Sequence, residues 1–415
     1  MTLHPRESTY GRREFIGRSA AGVLGLSSLS ALLAACGGSD NGNFKPPELQ
    51  LASPQNPVKW PLFDDNPMIA SGLEPESGTL RIYNWNGYLD PKLKKSFGKE
   101  YGIKVEETFF STTDEAVQKI SAGAVEFDVF FPTEDRIGRL VIGKRLQPLN
   151  RDYLANLANV WSSLQDPWYD KSSQYTVPYM TWTTGIGYRA DKIAKTPDAF
   201  SNPYEIYWDE ANRGKTYLLD DSRDAPAHML LKNGISNINT EDPDDIELAK
   251  NELKSLIDAV NIKLSTDDYT NVPEGKAWVH QMWSGSAIGA QWYLPEGTGT
   301  DALGFWFPTD GKGTIGSDMM AIPRNAKNPV LAHHFLNYML DDKNGYSNFA
   351  NYVGYQPPLT SLDPDTLVSD GVVPANLKTA IVRESDFDVA YPLTELTPAG
   401  ATDWQNAWAE FKAGV

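Results

Sequence analysis

Short apolar segments alternate with amphipathic segments from Thr79 onward, a pattern that predicts strands separated by helices. The first apolar segment is Leu80–Trp85, and the helix predicted after it opens at Asp90-Pro91 and runs to about Tyr101, before Gly102. The other segments predicted as strands are Ile103–Phe110, Phe127–Phe131, Thr176–Tyr179, Gly185–Tyr188 and Thr216–Leu219. Strands that alternate with helices indicate an α/β fold with a mostly parallel sheet.

Further helices are predicted after Thr112, over 224–232, over 244–260 and over 402–412. Thr112 and Glu115 have the spacing of a capping box, which is typical of a helix start. Trp404, Trp408 and Phe411 fall on one face of the last helix, where they are expected to be buried. The pattern predicts two α/β lobes with a cleft between them.

Residues 1–36 have the pattern of an export signal. The pair Arg12-Arg13, typical of twin-arginine export, precedes a weakly apolar run over 19–35 that is too short and too rich in Gly and Ser for a transmembrane helix. Leu33-Ala34-Ala35-Cys36-Gly37 resembles the lipobox of bacterial lipoproteins, which predicts lipidation of Cys36. The alternative is an uncleaved anchor with an incidental cysteine. In either case we expect the folded body outside the cytoplasmic membrane.

Residues 37–77 are predicted to form a proline-rich tether and N-terminal extension. Seven prolines in this stretch, together with Gly, Ser and Asn, disfavour helix and central strand. Its later part carries Trp60, Leu62, Phe63 and Ile69, so we expect that part to lie against the folded body.

Composition excludes several classes of protein. The 415 residues include 12 Trp, 19 Tyr and 16 Phe, which excludes disorder for most of the chain. A net charge of -17, without a basic stripe, disfavours a nucleic-acid partner. Cys36 is the single cysteine, so there is no disulfide within the chain and no cysteine-built metal site. Neither H-E-x-x-H nor G-x-S-x-G occurs, and we predict a monomer with no metal, cofactor or catalytic residue.

Five segments carry a family resemblance. They are Tyr83-Asn84-Trp85-Asn86-Gly87-Tyr88, Leu218-Leu219-Asp220-Asp221-Ser222-Arg223-Asp224, Met282-Trp283-Ser284-Gly285-Ser286-Ala287, Asp318-Met319-Met320-Ala321-Ile322-Pro323 and Val353-Gly354-Tyr355. Their order and spacing over about 78–415 resemble the substrate-binding protein of bacterial spermidine/putrescine ABC transporters. The resemblance implies a two-lobed periplasmic-binding-protein fold with a ligand cleft. Lobe one would comprise 78–187 and 317–362, and lobe two 188–316 and 363–415.

The resemblance also implies a set of ligand residues. Carried over position by position, they are Trp85, Asn86, Tyr88, Thr133, Asp221, Asp224, Trp283, Asp318 and Tyr355. Three positions depart from the family pattern: Asp135 stands where a Tyr is usual, Gly316 where a Trp is frequent, and Glu395, beside Thr394, lies closest to an expected amide. These departures remove aromatic surface and add acid. We include Asp135 and Glu395 among the predicted ligand residues.

Such a set suits a polyamine, because carboxylates pair with ammonium groups and aromatic rings cover methylene groups and attract cations. Each residue also has a plain structural alternative. Trp85 and Trp283 could be core or loop anchors, and Asp221 and Asp224 could cap the helix that follows them. Asp318 is harder to explain this way, since an acid beside an apolar strand needs a partner when buried.

The resemblance implies a lipid-anchored solute-binding protein that captures a polyamine by lobe closure and delivers it to the permease subunits of an ABC importer. One alternative keeps the fold and changes the solute to an amino acid derivative, a sugar or a metal chelate. Another is a secreted carbohydrate hydrolase, since Asp and Trp also line sugar clefts. A third is a chemosensory subunit that binds the same ligand and docks on a sensor.

Overall fold

The structure, a computed structural model, describes residues 48–122 and 126–415. The export signal, the predicted lipidation site Cys36 and the first part of the tether lie outside the described residues. In the part of the chain that is described, no helix combines the length and the apolar character needed to cross a membrane.

Ten strands form one hydrogen-bonded sheet in the described ranges. They are β1 (Leu80–Trp85), β2 (Val105–Phe110), β3 (Val129–Phe130), β4 (Thr176–Arg189), β5 (Thr216–Leu218), β6 (Lys263–Leu264), β7 (Val279–Trp283), β8 (Leu303–Trp306), β9 (Thr314–Ala321) and β10 (Tyr391–Pro392). Their order is β2-β1-β3-β9-β4-β7-β5-β6, with β10 beside β9 and β8 beside β4. The two long strands β4 and β9 therefore join the two flanks of the sheet.

The sheet is mixed, so the prediction of a mostly parallel sheet is wrong for its centre. The flanks are parallel as expected, with β1 beside β2 and β3, and β5 beside β6 and β7. At the centre, β4 runs antiparallel to β7, β8 and β9, and β3 runs antiparallel to β9. The alternation of strands and helices along the sequence predicts how consecutive strands pair. The central pairs join strands that are distant in sequence, so this pattern could not predict their direction.

A second correction concerns β4, which was predicted as two strands. Thr176–Tyr179 and Gly185–Tyr188 belong to one strand of 14 residues. The residues between them are mostly Thr and Trp, which favour the extended conformation. A bulge between Pro178 and Met180 interrupts the ladder with β9 but does not end the strand.

Twelve helices accompany the sheet in the described ranges. They are α1 (Pro91–Tyr101), α2 (Thr113–Ala122), α3 (Ile137–Ile142), α4 (Ser162–Gln165), α5 (Asp224–Lys232), α6 (Pro243–Val260), α7 (Asp268–Asn271), α8 (Ser284–Gly289), α9 (Pro329–Met339), α10 (Asp342–Asn348), α11 (Pro364–Ser369) and α12 (Pro398–Lys412). The predicted α1 is confirmed, with the Asp90 carboxylate accepting from Lys92 N and Gly102 in the left-handed region at φ 66°. At α2, Thr112 Oγ1 accepts from Glu115 N at 3.2 Å.

Three hydrophobic cores hold these layers together. The first lies around α1 and α9, with Phe97 and Phe335 fully buried. The second contains α5, α6 and α12, and it buries the predicted Trp404, Trp408 and Phe411 face. The third packs β1 and β3 against α2 and α3. Strand β4 contributes side chains to both the first and the second core, so it connects the two bodies between which the cleft lies.

The N-terminal extension packs on the third core, as predicted for part of it. Trp60 is buried, and its Nε1 donates to the carbonyl of Tyr169 at 2.7 Å. Asn66 Nδ2 donates to the carbonyl of Leu146 at 2.8 Å. Phe63 and Ile69 are half-buried. Leu62 is exposed, so it does not contribute to this packing.

Candidate functional site

The loop after β1 brings three predicted ligand residues to the end of the strand. Trp85 is half-buried, and its indole nitrogen is buried with no hydrogen-bond partner among the described residues. Gly87 takes a left-handed φ of 75°, which a residue without Cβ adopts at little cost and which turns the chain between exposed Asn86 and buried Tyr88. Tyr88 Oη then donates to Asp318 Oδ2 at 2.5 Å, so the loop is joined to β9.

Asp318 is a buried acid that forms no salt bridge with a Lys, Arg or His in the part of the chain that the structure describes. Thr133 forms an isolated bridge with it, which places the end of β3 alongside β9. Burial raises the pKa of Asp318 to about 7, although hydrogen bonds from the side chains of Tyr88 and Trp182 lower it, and the charge of Asp135 raises it further. This carboxyl therefore titrates near neutral pH.

Asp224 opens α5 and faces β4 and β7. Its Oδ1 accepts from Thr184 Oγ1 at 2.6 Å, and its Oδ2 accepts from Trp283 Nε1 at 3.2 Å. Burial, and then the neighbouring charge of Asp221, raise the pKa of Asp224 to about 7. Asp221 itself accepts from the backbone nitrogens of Arg223 at 2.8 Å and Asp224 at 2.9 Å, so its carboxylate holds the turn that leads into α5. Asp224 is therefore the member of this acidic pair that faces the ring of Trp283.

A third buried acid, Asp268, stands behind Trp283 and was not predicted from the sequence. Its Oδ2 accepts from Trp283 N at 3.1 Å, and burial raises its pKa to about 7. Ser286 links this acid to Tyr355, whose Oη lies 3.0 Å from Ser286 Oγ. The ring of Tyr355 meets the ring of Tyr88 edge to face at 5.1 Å. Tyr88 and Tyr355 thus connect the Asp318 side of the site to the Trp283 side.

Asp135 has a different environment, because arginines surround it. Thr133 Oγ1 donates to Asp135 Oδ1 at 2.6 Å, and Arg136 Nη1 lies 2.8 Å from Asp135 Oδ2. Burial would raise the pKa of Asp135, but the charges of Arg136 and Arg223 outweigh it and lower the pKa. Asp135 is therefore an ionised carboxylate that already has cationic partners within the protein.

Glu395 is likewise paired within the protein. It forms an ion pair with the guanidinium of Arg139, and its Oε2 accepts from Arg139 N at 3.3 Å. Burial raises the pKa of Glu395 in spite of this pair. Nearby, Gln405 Nε2 donates to Asp114 Oδ2 at 3.2 Å, so the segment that carries Glu395 and α12 is tied to α2 and α3. Glu395 holds two parts of the chain together at the rim of the site.

Within 48–122 and 126–415, no Lys, Arg or His forms a salt bridge with Asp224, Asp268 or Asp318. The same ranges contain no group of His, Cys, Asp and Glu side chains that could hold a metal ion. The charge of Arg223 lowers the pKa of Asp224 but does not outweigh burial, so these are buried acids beside aromatic rings without a salt bridge, an arrangement that a small organic cation can complete.

The chain resembles known proteins over most of its length. The sequence profile of the bacterial extracellular solute-binding proteins matches residues 92–375, more than half of the chain. This chain is a bacterial extracellular solute-binding protein. It is 30% identical to the spermidine/putrescine-binding periplasmic protein of Escherichia coli over 334 residues, which cover 80% of this chain and 87% of that protein. The family resemblance inferred from the five segments is confirmed.

Two further relatives support this assignment of the solute-binding protein. The putrescine/cadaverine-binding protein of Pseudomonas aeruginosa is 29% identical over 286 residues, 67% of this chain and 79% of its own length. A solved structure from Listeria monocytogenes, provisionally assigned to spermidine/putrescine ABC transport, superposes with a TM-score of 0.67 at 26% identity and covers 80% of this chain and 98% of its own. The predicted α/β, two-lobed periplasmic-binding-protein fold is confirmed. The lobe boundaries stay a prediction.

The structure brings most of the predicted residues of this solute-binding protein together. Tyr88, Asp318 and Tyr355 are joined by direct contacts, and Asp224 and Trp283 form a second connected group. Their role as ligand contacts stays a prediction.

Sequence reasoning missed three buried groups beside the site: Asp268, Trp182 and Glu134. Neither carboxyl oxygen of Glu134 has a partner at hydrogen-bond geometry among the described residues. Burial, and then the charges of Asp135 and Asp318, raise its pKa well above the usual range. No motif marks any of these three residues, and the single available signal was that Glu134 adjoins Asp135.

Proposed function

We propose that this solute-binding protein captures a polyamine of the putrescine or spermidine type and delivers it to the permease subunits of an ABC importer. It works as a monomer and carries out no chemical step. Ligand contacts from both lobes favour the closed state, because a ligand that binds one conformation better shifts the population toward it.

One observation carries the proposal: Asp318 and Asp224 are buried acids whose partners among the described residues are neutral hydroxyl and indole groups. A buried carboxylate without a cation is costly, and an ammonium group from a ligand removes that cost. Tyr88, Trp283 and Tyr355 supply aromatic surface around the two acids. The names of the relatives, which bind spermidine, putrescine or cadaverine, agree with this chemistry.

The place of action is proposed from the N-terminal sequence. Arg12-Arg13 would direct twin-arginine export, and lipidation of Cys36 would anchor the protein to the membrane. Cys36→Ser should release the body from the membrane fraction or leave it as a precursor. Replacing both arginines by lysine should keep the protein in the cytoplasm, and normal export of that variant would contradict the twin-arginine route.

Titration calorimetry with putrescine, spermidine, arginine and a panel of sugars tests the ligand. We expect the diamine and triamine to bind and the sugars not to bind. Bound amine should also raise Tm, by the equivalent of about 2.7 kcal/mol at a hundredfold excess over Kd. If a sugar binds and no amine at millimolar concentration shifts Tm, the cationic ligand is wrong and the alternative of another small solute on the same fold gains support.

A further inference from the structure

The face of the sheet that carries the two acids also carries a tryptophan that sequence comparison did not place in the site. In the register of β4 with β9, Met180 lies opposite Asp318, Trp182 opposite Gly316 and Thr184 opposite Thr314. Alternate residues of a strand share a face, and opposed residues of an antiparallel pair share it too. The side chains at 180, 182 and 184 therefore rise from the same face as Asp318.

The second acid of the proposed site contacts the same face. Thr184 donates to Asp224 at 2.6 Å, and Thr184 also lies opposite Trp283 of β7, whose indole reaches the same carboxylate. On β4, Trp182 is two residues from Thr184 and two residues from Met180, the residue opposite Asp318. Along the strand, the positions of Thr184 and Met180 are about 13 Å apart at 3.3 Å per residue, and Trp182 lies between them.

Gly316 leaves the room that the Trp182 ring occupies. A Cβ on Gly316 would overlap Cζ2 of the indole and lie 2.6 Å from Cη2, so any side chain at 316 would displace the ring. The indole thus lies over the backbone of β9, two residues along that strand from Asp318. The residue is 8% exposed and belongs to the second core.

We propose that Trp182 is a ligand-contacting residue whose ring, lying over Gly316, forms the aromatic wall between Asp318 and Asp224. The inference rests on the proposed function and adds a residue that sets specificity. A flat ring between two acids covers the methylene segment of an amine whose charged ends reach those acids. Its π face also attracts the cation. The wall should favour amines that span both acids over amines that reach only one.

The experiment compares two tryptophans of equal burial. Trp306 on β8 is also 8% exposed and belongs to the same core, but its Nε1 donates to Asp198 at 2.8 Å, away from the binding residues. We expect Trp182→Ala to weaken spermidine binding about tenfold, the equivalent of one cation–π contact, and Trp306→Ala to leave Kd within about twofold. Both variants should lower Tm, so loss of packing alone does not separate them. Equal Kd values in the two variants would overturn the inference.

An exchange of side chains across the strand pair gives a second readout. Gly316→Trp alone should abolish binding, because two rings compete for one space. Adding Trp182→Gly to that variant should restore binding, since the ring returns to the same place from the other strand. If Trp182→Ala does not fold, Trp182→Phe and Trp182→Leu replace it: Phe should keep the affinity and Leu should lose it. Equal affinities of Phe and Leu, or no restoration in a folded exchange variant, would overturn the inference.

The same measurements separate this inference from the proposed function. If the unmodified protein binds none of the amines, the proposed function fails and the inference fails with it. If the unmodified protein binds spermidine and Trp182→Ala binds it equally well, the inference alone fails.

Discussion

Two sets of buried acids lie close together in this solute-binding protein and differ in what faces them. Asp135 and Glu395 are paired with arginines of the protein itself. Asp318 and Asp224 face hydroxyl and indole groups, and burial raises the pKa of each to about 7. A buried charge is stable only when it is paired, so the first set is complete as it stands and the second is complete only with a cation from outside.

All four acids were predicted as ligand residues; from this difference we expect Asp318 and Asp224 to contact the ligand and Asp135 and Glu395 to shape the site around it. The Arg139–Glu395 pair joins residues that are 256 positions apart, so it ties α3 to the segment before α12 without any ligand. The unpaired acids are each held by donors that fix their orientation without neutralising them. Acidic character alone therefore does not identify a ligand residue. We expect an acid to bind the ligand only where no arginine or lysine of the protein is paired with it.

The largest effect is expected from removing the charge of an unpaired acid. Asp318→Asn keeps the shape of the side chain but leaves the ligand ammonium buried and unpaired, which typically costs about 3–5 kcal/mol, or more than about a hundredfold in Kd. Calorimetry with spermidine measures the loss. Asp365→Asn, in which an acid that is 92% exposed loses the same charge, serves as the control and should leave Kd unchanged. Equal Kd values in the two variants would mean that Asp318 does not pair with the ligand, and an acid without an internal cation would then not be a ligand residue.

Acidification should weaken binding next most strongly. Because the pKa of Asp318 and of Asp224 is about 7 without ligand, a cation must displace a proton, and affinity should fall by about tenfold per pH unit below 7 for each carboxyl. Calorimetry in buffers of different ionisation enthalpy should detect proton release near pH 7. Binding that is independent of pH between 5.5 and 8 would contradict the assignment.

The same raised pKa values set the stability of the ligand-free protein. The folded state holds protons on these acids that the unfolded chain loses near pH 4, so it binds more protons than the unfolded chain between about pH 4 and about 7. These groups therefore make the free energy of unfolding rise as pH falls through that range and decrease as pH rises toward 7. The shift in Tm caused by spermidine should accordingly be larger at pH 8 than at pH 5.5, and equal shifts would count against this explanation.

A smaller loss is expected from the aromatic side of the site. Trp283→Leu keeps an apolar side chain but removes the π face and the indole donor to Asp224, so we expect a loss of about 1–2 kcal/mol in binding. The ordering is the sharper result: with a cationic ligand, Asp318→Asn must weaken binding more than Trp283→Leu does. The reverse order would indicate a neutral, stacked solute such as a sugar.

The smallest effect on affinity is expected from breaking a paired acid. Glu395→Gln leaves the Arg139 guanidinium without its counterion, so Tm should fall. Kd for spermidine should change by no more than about twofold, because the Glu395 carboxylate is already paired with Arg139 and we expect it to have no ammonium to bind. Thermal melting and calorimetry on the same samples give both numbers. A loss of affinity as large as that of Asp318→Asn would place Glu395 among the ligand-binding acids.

Local sequence signals predicted most helices and strands of the fold. They could not predict which strands distant in sequence pair with each other. The start and end of α1 depend on Asp90 and Gly102, which lie beside the helix in sequence, and both were predicted. The antiparallel centre depends on pairs such as Met180 with Asp318, which no local pattern reveals. The split of β4 into two predicted strands arose because only its ends read as apolar segments.

The candidate site divides in the same way. Residues within the five motifs, such as Tyr88, Asp224 and Trp283, were predicted and are brought together. The partners that decide their chemistry were not: Asp268 lies in no motif, and the Arg139–Glu395 pair joins distant segments. Gly316 was interpreted as a loss of aromatic surface, because only the register of β4 with β9 shows that Trp182 covers it.

The docked N-terminal extension determines how a membrane anchor would act on the moving protein. Trp60 and Asn66 are hydrogen-bonded to Tyr169 and Leu146, all within the segment assigned to the first lobe or next to it. A pulling force along a tether upstream of these contacts would be transmitted to the first lobe and not to the second. If Cys36 is lipidated as proposed, opening and closing of the second lobe would neither stretch nor slacken the tether. Its length would then set how far the protein ranges from the membrane without changing how readily the cleft closes.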